Sequence, residues 1–222
     1  MPAPISVVIP TLNAAASLSD TLEALVEGLD AGLVTELIVS DGGSTDDTTA
    51  LADAWGANVI HGAASRGGQL RRGCAAARAP WLLILHADTR LASGWTEAVR
   101  AHLQTAEAGY FQLCFDRGGR WIAAWANRRA QWFGLPYGDQ GLLVPRTLYD
   151  RVGGYRDIPL MEDVALARAL RGQLRRIDAV ATTSAARYRA EGWIRRGARN
   201  LWLLAQFLAG ADPERLAQRY RR

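Results

Sequence analysis

Two residues stand out for what they could do chemically. Trp81–Leu85 is an unbroken apolar run that stops at His86, Ala87 and Asp88. A short apolar run behind a proline, here Pro80, reads as a strand buried on both faces. Ligands of open α/β sheets bind beyond the carboxyl ends of such strands. His86 and Asp88 are two residues apart, and an extended segment places i and i+2 on one side. An imidazole and a carboxylate could therefore share one metal ion or one ligand. In the plainer reading, Asp88 caps a helix starting near Ser93 and His86 is a satisfied strand-end histidine.

Three further clusters carry chemistry. Asp41-Gly42-Gly43-Ser44-Thr45-Asp46 follows the strand expected at Glu36–Ser40. Its paired glycines permit a tight turn, and Ser44 or Thr45 can cap a helix running through Ala54. Gly62–Gly73 is a glycine- and arginine-rich loop feeding an alanine-rich helix at Cys74–Ala79. A helix N-terminus beside arginine is an anion site. Pro159–Val164 opens a helix expected to reach about Arg171, with Glu162 and Asp163 in its first turn behind the apolar Ile158–Met161. Two acids in a first helical turn suit the macrodipole, and the apolar stretch can line a pocket.

The elements that must position these residues alternate. Ile5–Pro10 reads as a first strand, with Thr11-Leu12-Asn13 as its carboxyl-end loop. Ser17 can cap the next helix, whose Leu18, Leu22, Leu25, Val26 and Leu29 keep helical spacing. Asn58–His61 is a third short strand, and the Trp81 run completes a β-α-β-α-β-α-β series. Such alternation predicts a mostly parallel sheet with helices on both faces. Later segments are less regular. Glu97–Gln104 reads as a helix, Ala108–Phe115 as a strand, and Trp121–Phe133 as a helix whose aromatics are expected in the core. Tyr137–Gly141 is a polar turn before the apolar Leu142–Val144.

The length of 222 residues suits one α/β domain with a small appendage, and the 49% hydrophobic content supports a sizeable core. The division expected is a domain at 1–180 and a helical arginine-rich extension at 181–222, packed on the domain or on a membrane surface. Two cysteines make neither a disulfide framework nor a metal spacing, so a reducing, cytoplasmic setting is expected. From the start at Met1 no secretory leader is expected. No apolar run reaches the ~18 residues that span a bilayer.

All 26 basic residues are arginine, which removes a P-loop lysine and Schiff-base chemistry. Residues 1–65 hold nine acids and no basic residue, whereas 66–222 hold 26 arginines against 13 acids. Guanidinium groups pair bidentately with phosphate. A compositional bias toward arginine explains the missing lysine but not the segregation, for which an anionic substrate or an anionic membrane is the sharper expectation.

Taken in order, Ser6–Asn13, Val39–Asp46, Leu85–Asp88 and Glu162-Asp163 resemble the signature segments of family 2 glycosyltransferases of the GT-A fold, over roughly residues 5–180. Gly68-Gln69-Leu70, His86–Thr89, Gly138–Gly141 and Pro159–Asp163 are similar to a small subgroup often labelled arsenosugar-biosynthesis-type. The resemblance implies an inverting, metal-dependent transfer of a sugar from a nucleotide-diphosphate donor, with a UDP-sugar favoured, to an unidentified acceptor hydroxyl. Pro10, Thr11, Asn13 and Asp41 would hold the nucleotide, Asp41 through the base. Arg66 and Arg72 would lie near the phosphates. Asp88, with His86 beside it, would bind Mn²⁺ or Mg²⁺. Asp163 would be the general base with Glu162 in support, and Asp139 and Gln140 would face the acceptor.

Two positions depart from the pattern. His86 stands where many members carry an acid, and imidazole suits a softer ion than Mg²⁺. Arg71 stands where the subgroup commonly has asparagine. Arg187 and Arg189 could complete a phosphate clamp from the tail. Nucleic acid is not an expected partner; the tail is expected to pack on its own domain, with peripheral membrane contact as the alternative. The competing readings are a nucleotidyltransferase, which lacks a triphosphate signature here, and a non-catalytic nucleotide-sugar-binding or membrane-associated protein.

Overall fold

The computed structural model describes residues 3–221. Met1 and Pro2, on which the expectation about the chain start rests, lie outside them. The chain alternates as expected through β1 (Ile5–Thr11), α1 (Ala15–Asp30), β2 (Val34–Asp41), α2 (Thr48–Ala54), β3 (Asn58–His61), α3 (Arg66–Ala76) and β4 (Trp81–Ile84). It continues through β5 (Thr89–Leu91), α4 (Trp95–His102), β6 (Ala108–Phe115), α5 (Arg120–Phe133), β7 (Leu142–Pro145) and α6 (Arg146–Arg151). α7 (Glu162–Ala169), β8 (Leu174–Thr183), α8 (Ala186–Glu191), α9 (Trp193–Leu208) and α10 (Pro213–Arg221) follow.

One eight-stranded sheet has the order β3-β2-β1-β4-β7-β6-β8-β5. The first four strands are parallel, and β6 and β8 are parallel to each other. β7 and β5 run antiparallel to their neighbours. β1 is apolar almost throughout because helices cover both of its faces. Ile5, Val7 and Ile9 point into a core with Leu18 and Leu22 of α1 and Trp95 and Val99 of α4. Val8 points the other way, toward Leu70 and Cys74 of α3 and Leu166 of α7.

The expected caps are replaced by tertiary contacts. α1 begins at Ala15, ahead of Ser17, and the Asp46 carboxylate accepts from the Ala15 N–H at 3.1 Å. α2 begins at Thr48; Ser44 and Thr45 bond to Asp41 and Asn13 instead. The glycine- and arginine-rich run is mostly helix. α3 starts at Arg66, and the Ser65 hydroxyl accepts from the Gly68 N–H. Asp88 caps nothing: α4 starts after Gly94, and Glu27 of α1 accepts from the Gly94 and Thr96 N–H groups. β8 had no counterpart in the sequence reading, because its apolar positions are interrupted by Arg175, Arg176 and Asp178.

The aromatics of α5 are not core residues. Trp121, Trp125, Trp132 and Phe133 are exposed, and the helix packs through Ile122, Ala123, Ala126 and Ala130. The spacing identified a helix with one aromatic stripe but assigned that stripe to the wrong side. The tail packs on the rest of the chain: Leu203 and Leu204 of α9 and Leu216 of α10 share a cluster with Leu160, Met161 and Val164.

Glu27 supplies a testable link between α1 and α4. Its hydrogen bonds from Thr96, with those from the Gly94 and Thr96 backbones, outweigh burial and hold its carboxyl below the ordinary 4.5. Glu27→Ala should cost about 1 kcal/mol, as for a lost cap, and lower Tm by roughly 2–4 °C. A depressed folded pKa stabilises above the unfolded value, so thermal melts of the two proteins should converge as pH falls below 4.5.

Candidate active site

The carboxyl ends of β1 and β4, the N-termini of α3 and α7, and the C-terminal helices enclose one cavity of about 540 Å³. Pro10, Thr11, Asn13, Arg66, His86, Asp88, Asp139 and Asp163 all line it. Residues distant in sequence are therefore brought together, as the resemblance implied.

The floor is built where β1 and β2 end. Asn13 takes a left-handed backbone conformation (φ 51°), which asparagine tolerates better than most residues. Its side-chain oxygen accepts from the Thr45 N–H at 2.8 Å. The buried Gln69 amide donates to the Thr11 and Ser40 carbonyls at 2.6 and 3.1 Å, tying the two strand ends together. Asp41 lies beneath this floor. Burial opposes its ionisation, but hydrogen bonds from Ser44, Gly43 and Thr11 outweigh it and keep its carboxyl below the usual range. Those donors take both oxygens, two each, which fills a carboxylate's roughly four acceptor sites. Asp41 thus organises the turn in place of presenting an open acceptor to a base. Arg72 also differs from expectation: it is absent from the cavity lining and donates to the Ala63 carbonyl at 3.1 Å.

The wall opposite the sheet rests on Arg66. Its Nε lies 3.1 Å from Glu162 Oε1, and its Nη2 lies 3.1 Å from His86 Nε2 and 3.3 Å from Nδ1. Burial, then the charges of Arg66 and Arg187, push the His86 imidazole well below its ordinary 6.5. Both of its ring nitrogens lie within 3.3 Å of the Arg66 guanidinium, on the lining of the cavity. Among the described residues, no group of three or more His, Cys, Asp or Glu gathers around a metal-sized space. Asp88 is exposed on the loop after β4.

Glu162 is 1% exposed and sits behind the lining. Burial pushes its carboxyl up, against the pull of Arg66. Asp163 projects into the cavity, its Oδ2 accepting from the Gly138 N–H at 2.8 Å and its Oδ1 from the Val164 N–H at 2.7 Å. The residue before this pair, Met161, holds a left-handed conformation (φ 66°). Such a backbone costs on the order of 1–3 kcal/mol and clusters at functional sites. Burial, opposed by Arg129 and reinforced by the charges of Asp163 and Asp88, raises Asp139 to about 6. Gln140, by contrast, is fully buried and donates to the Phe111 carbonyl at 3.2 Å, so it braces the turn and does not face the cavity.

The C-terminal helices complete the enclosure with Arg187, Tyr188, Arg196, Asn200 and Tyr220. Arg187 lines the cavity and Arg189 does not. Arg196 is engaged by Glu191 and by the Tyr220 hydroxyl. Tyr137, with the Arg129 guanidinium 3.5 Å above its ring, lines the other side. Sequence reasoning missed Tyr137, Tyr188 and Tyr220, because isolated tyrosines carry no spacing signal.

Residues 6–157 match the glycosyl transferase family 2 profile. The chain belongs to that family. Among its relatives is glucosyl-3-phosphoglycerate synthase of Mycobacterium tuberculosis, 50% identical over 56 residues, a match covering 25% of this chain and 17% of that protein. The crystal structure of that synthase with Mn²⁺, UDP and glucosyl-3-phosphoglycerate aligns with a TM-score of 0.55 and 24% identity, over 82% of this chain and 70% of the other. A mannosyltransferase from Pyrobaculum calidifontis, solved with GDP-mannose and Mn²⁺, aligns with a TM-score of 0.70 and 19% identity, over 95% of this chain and 65% of the other. These likenesses establish the GT-A fold expected from the sequence.

Gly138 lets this family site close up. A Cβ there would lie 2.3 Å from His86 Nε2. Gly138→Ala should displace the imidazole from Arg66 and destabilise the protein by about 1–3 kcal/mol, as overpacking does. Thermal denaturation measures this, and a Tm equal to that of the parent would show that the ring moves freely.

Proposed function

We propose that this chain transfers a sugar, with inversion, from a nucleotide-diphosphate sugar, a UDP-sugar being favoured, to an acceptor hydroxyl. The observation that carries the reading is the placement of Asp163. Its carboxylate is held by a backbone N–H inside the same cavity as Arg66 and Asp88. The complexes of the two solved relatives with UDP or GDP-mannose and Mn²⁺ support it. The small-subgroup similarity at Gly68–Leu70 and Gly138–Gly141 supports the assignment of these two segments to the site, but names no substrate.

The nucleotide lies along Pro10, Thr11 and Asn13, and Arg66 and Arg187 face its diphosphate. Asp88 supplies a hard oxygen for Mn²⁺ or Mg²⁺, and such ions commonly take one or two carboxylates and complete their shell with substrate phosphate and water. A cation held by Asp88 would supply positive charge against the departing diphosphate. Asp163 accepts the acceptor's hydroxyl proton as the oxygen attacks the anomeric carbon and the bond to the diphosphate breaks. Gly138 aims that carboxylate, and Glu162 fixes Arg66 and the start of α7. Asp139 faces the acceptor side.

A thermal-shift series with UDP-, GDP-, dTDP- and CDP-sugars, with Mn²⁺ or with EDTA, tests the donor half. A donor at 100 times its Kd should stabilise the protein by about 2.7 kcal/mol, and only with metal. No shift in folded protein with any donor would overturn the reading. Asp163→Asn should keep donor binding and lose transfer by ~10²-fold or more; unchanged transfer would remove Asp163 as the base. Arg187→Ala should weaken donor binding, with Arg189→Ala near the parent. Equal effects would mean that the tail contributes only diffuse charge.

A further inference from the structure

We propose that the outward faces of α5 and α9 form a docking surface for an anionic lipid bilayer. On α9, Ile194, Ala198, Leu201, Trp202, Ala205 and Leu208 are all exposed. Their spacing follows one face of a helix. The side chains of Ile194 and Trp202 are 75% and 65% exposed. This helix is amphipathic with an apolar side turned away from the protein, the reverse of a surface helix in an ordinary globular domain. On α5, Trp121, Trp125 and Trp132 lie on a second exposed stripe at i, i+4 and i+11.

The two helices pack against each other at their N-terminal ends. Trp193 closes over Gly119, where a Cβ would lie 2.0 Å from its ring, and Gly197 sits beside Ile122, with 3.1 Å between the built Cβ and Cδ1. The stripes therefore belong to neighbouring elements. Large exposed apolar side chains gathered on two neighbouring helices mark an interaction site.

Charge identifies the occupant. Neither helix contains an acidic residue, and both carry arginines: Arg120, Arg128 and Arg129 on α5, and Arg195, Arg196 and Arg199 on α9. Of these, Arg120, Arg128 and Arg195 are exposed. Tryptophan with arginine at the edge of an apolar helix face is the composition that lies in the headgroup region of an anionic bilayer. No helix among the described residues is long and apolar enough to cross a membrane, so the contact is along the surface. α9 lines the catalytic cavity with Arg196, Asn200 and Leu203 on its inner side. The cavity thus lies about one helix diameter, ~10 Å, from the lipid.

The test is flotation of the full chain with phosphatidylcholine vesicles, pure or containing phosphatidylglycerol, at low and high salt. Binding should need the anionic lipid and should weaken in high salt as the Debye length shrinks. A triple variant, Ile194→Gln, Leu201→Gln and Trp202→Gln, should lose ~10-fold or more in vesicle affinity, as should Trp121→Gln with Trp125→Gln. Both variants should keep the parent's melting temperature and its donor-induced thermal shift, since none of the five side chains lines the cavity. Failure of the donor screen would not affect this outcome, because vesicle binding is read without donor. Equal binding to neutral and anionic vesicles, or unchanged binding by both variants, overturns the proposal. So does a dimer in light scattering that the same substitutions dissolve while the parent ignores vesicles, which would assign the face to a second copy of the chain.

Discussion

The contact between Arg66 and Glu162 is the constraint on which the site depends. Glu162 is 1% exposed, and neither of its side-chain oxygens has a hydrogen-bond partner among the described residues. A buried carboxylate without compensation is costly, and the guanidinium 3.1 Å away is the compensation. Because Arg66 opens α3 and Glu162 opens α7, the pair clamps two helix N-termini that are nearly a hundred residues apart. The same guanidinium reaches His86 at the end of the β4 loop. One arginine thereby sets the spacing of three segments, and each carries a group that faces the cavity.

This arrangement divides labour between neighbouring acids. Glu162 is spent on holding Arg66, which leaves Asp163 to face the cavity with its orientation set by Gly138. Asp41 is spent in the same way at the opposite end, where its four donors shape the turn beneath Thr11 and Asn13. In both places a carboxylate that reads as chemical in the sequence serves instead to position a neighbour. The means differ. Asp41 is held by four hydrogen-bond donors, whereas the buried Glu162 has the Arg66 guanidinium beside it and no hydrogen-bond donor among the described residues.

The C-terminal helices give the cavity its far wall. Leu203, Leu204 and Leu216 anchor them on Leu160, Met161 and Val164, directly beside the strained Met161 and the acidic pair. Packing of the tail and geometry of the α7 N-terminus are therefore coupled through shared apolar contacts. α9 has one face in the cavity and another turned outward, so the same helix that encloses the site also presents its apolar stripe to the surroundings.

Much of the parallel half of the sheet was legible in the sequence, because strands covered on both sides must be continuously apolar and the helices between them must keep a 3.6-residue stripe. The strand-end polar residues were legible for the same reason: Asn13, His86 and Asp88 stand where strands stop, and they line the cavity together with Asp163 at the start of α7. Long-range choices were not legible. Whether Asp41 faced a ligand or its own turn, whether Arg72 and Gln140 faced the cavity, and which side of α5 was buried depended on partners distant in the chain. The caps show this most plainly, since Asp46 and Glu27 each serve a helix other than the one in which or beside which they stand. The sequence by itself determined the α/β alternation, the family segments and the residue types available for chemistry, because these follow from local periodicity and composition. Only the tertiary structure decided which carboxylates line the cavity and which lie behind it, because that depends on how segments distant in the chain pack together.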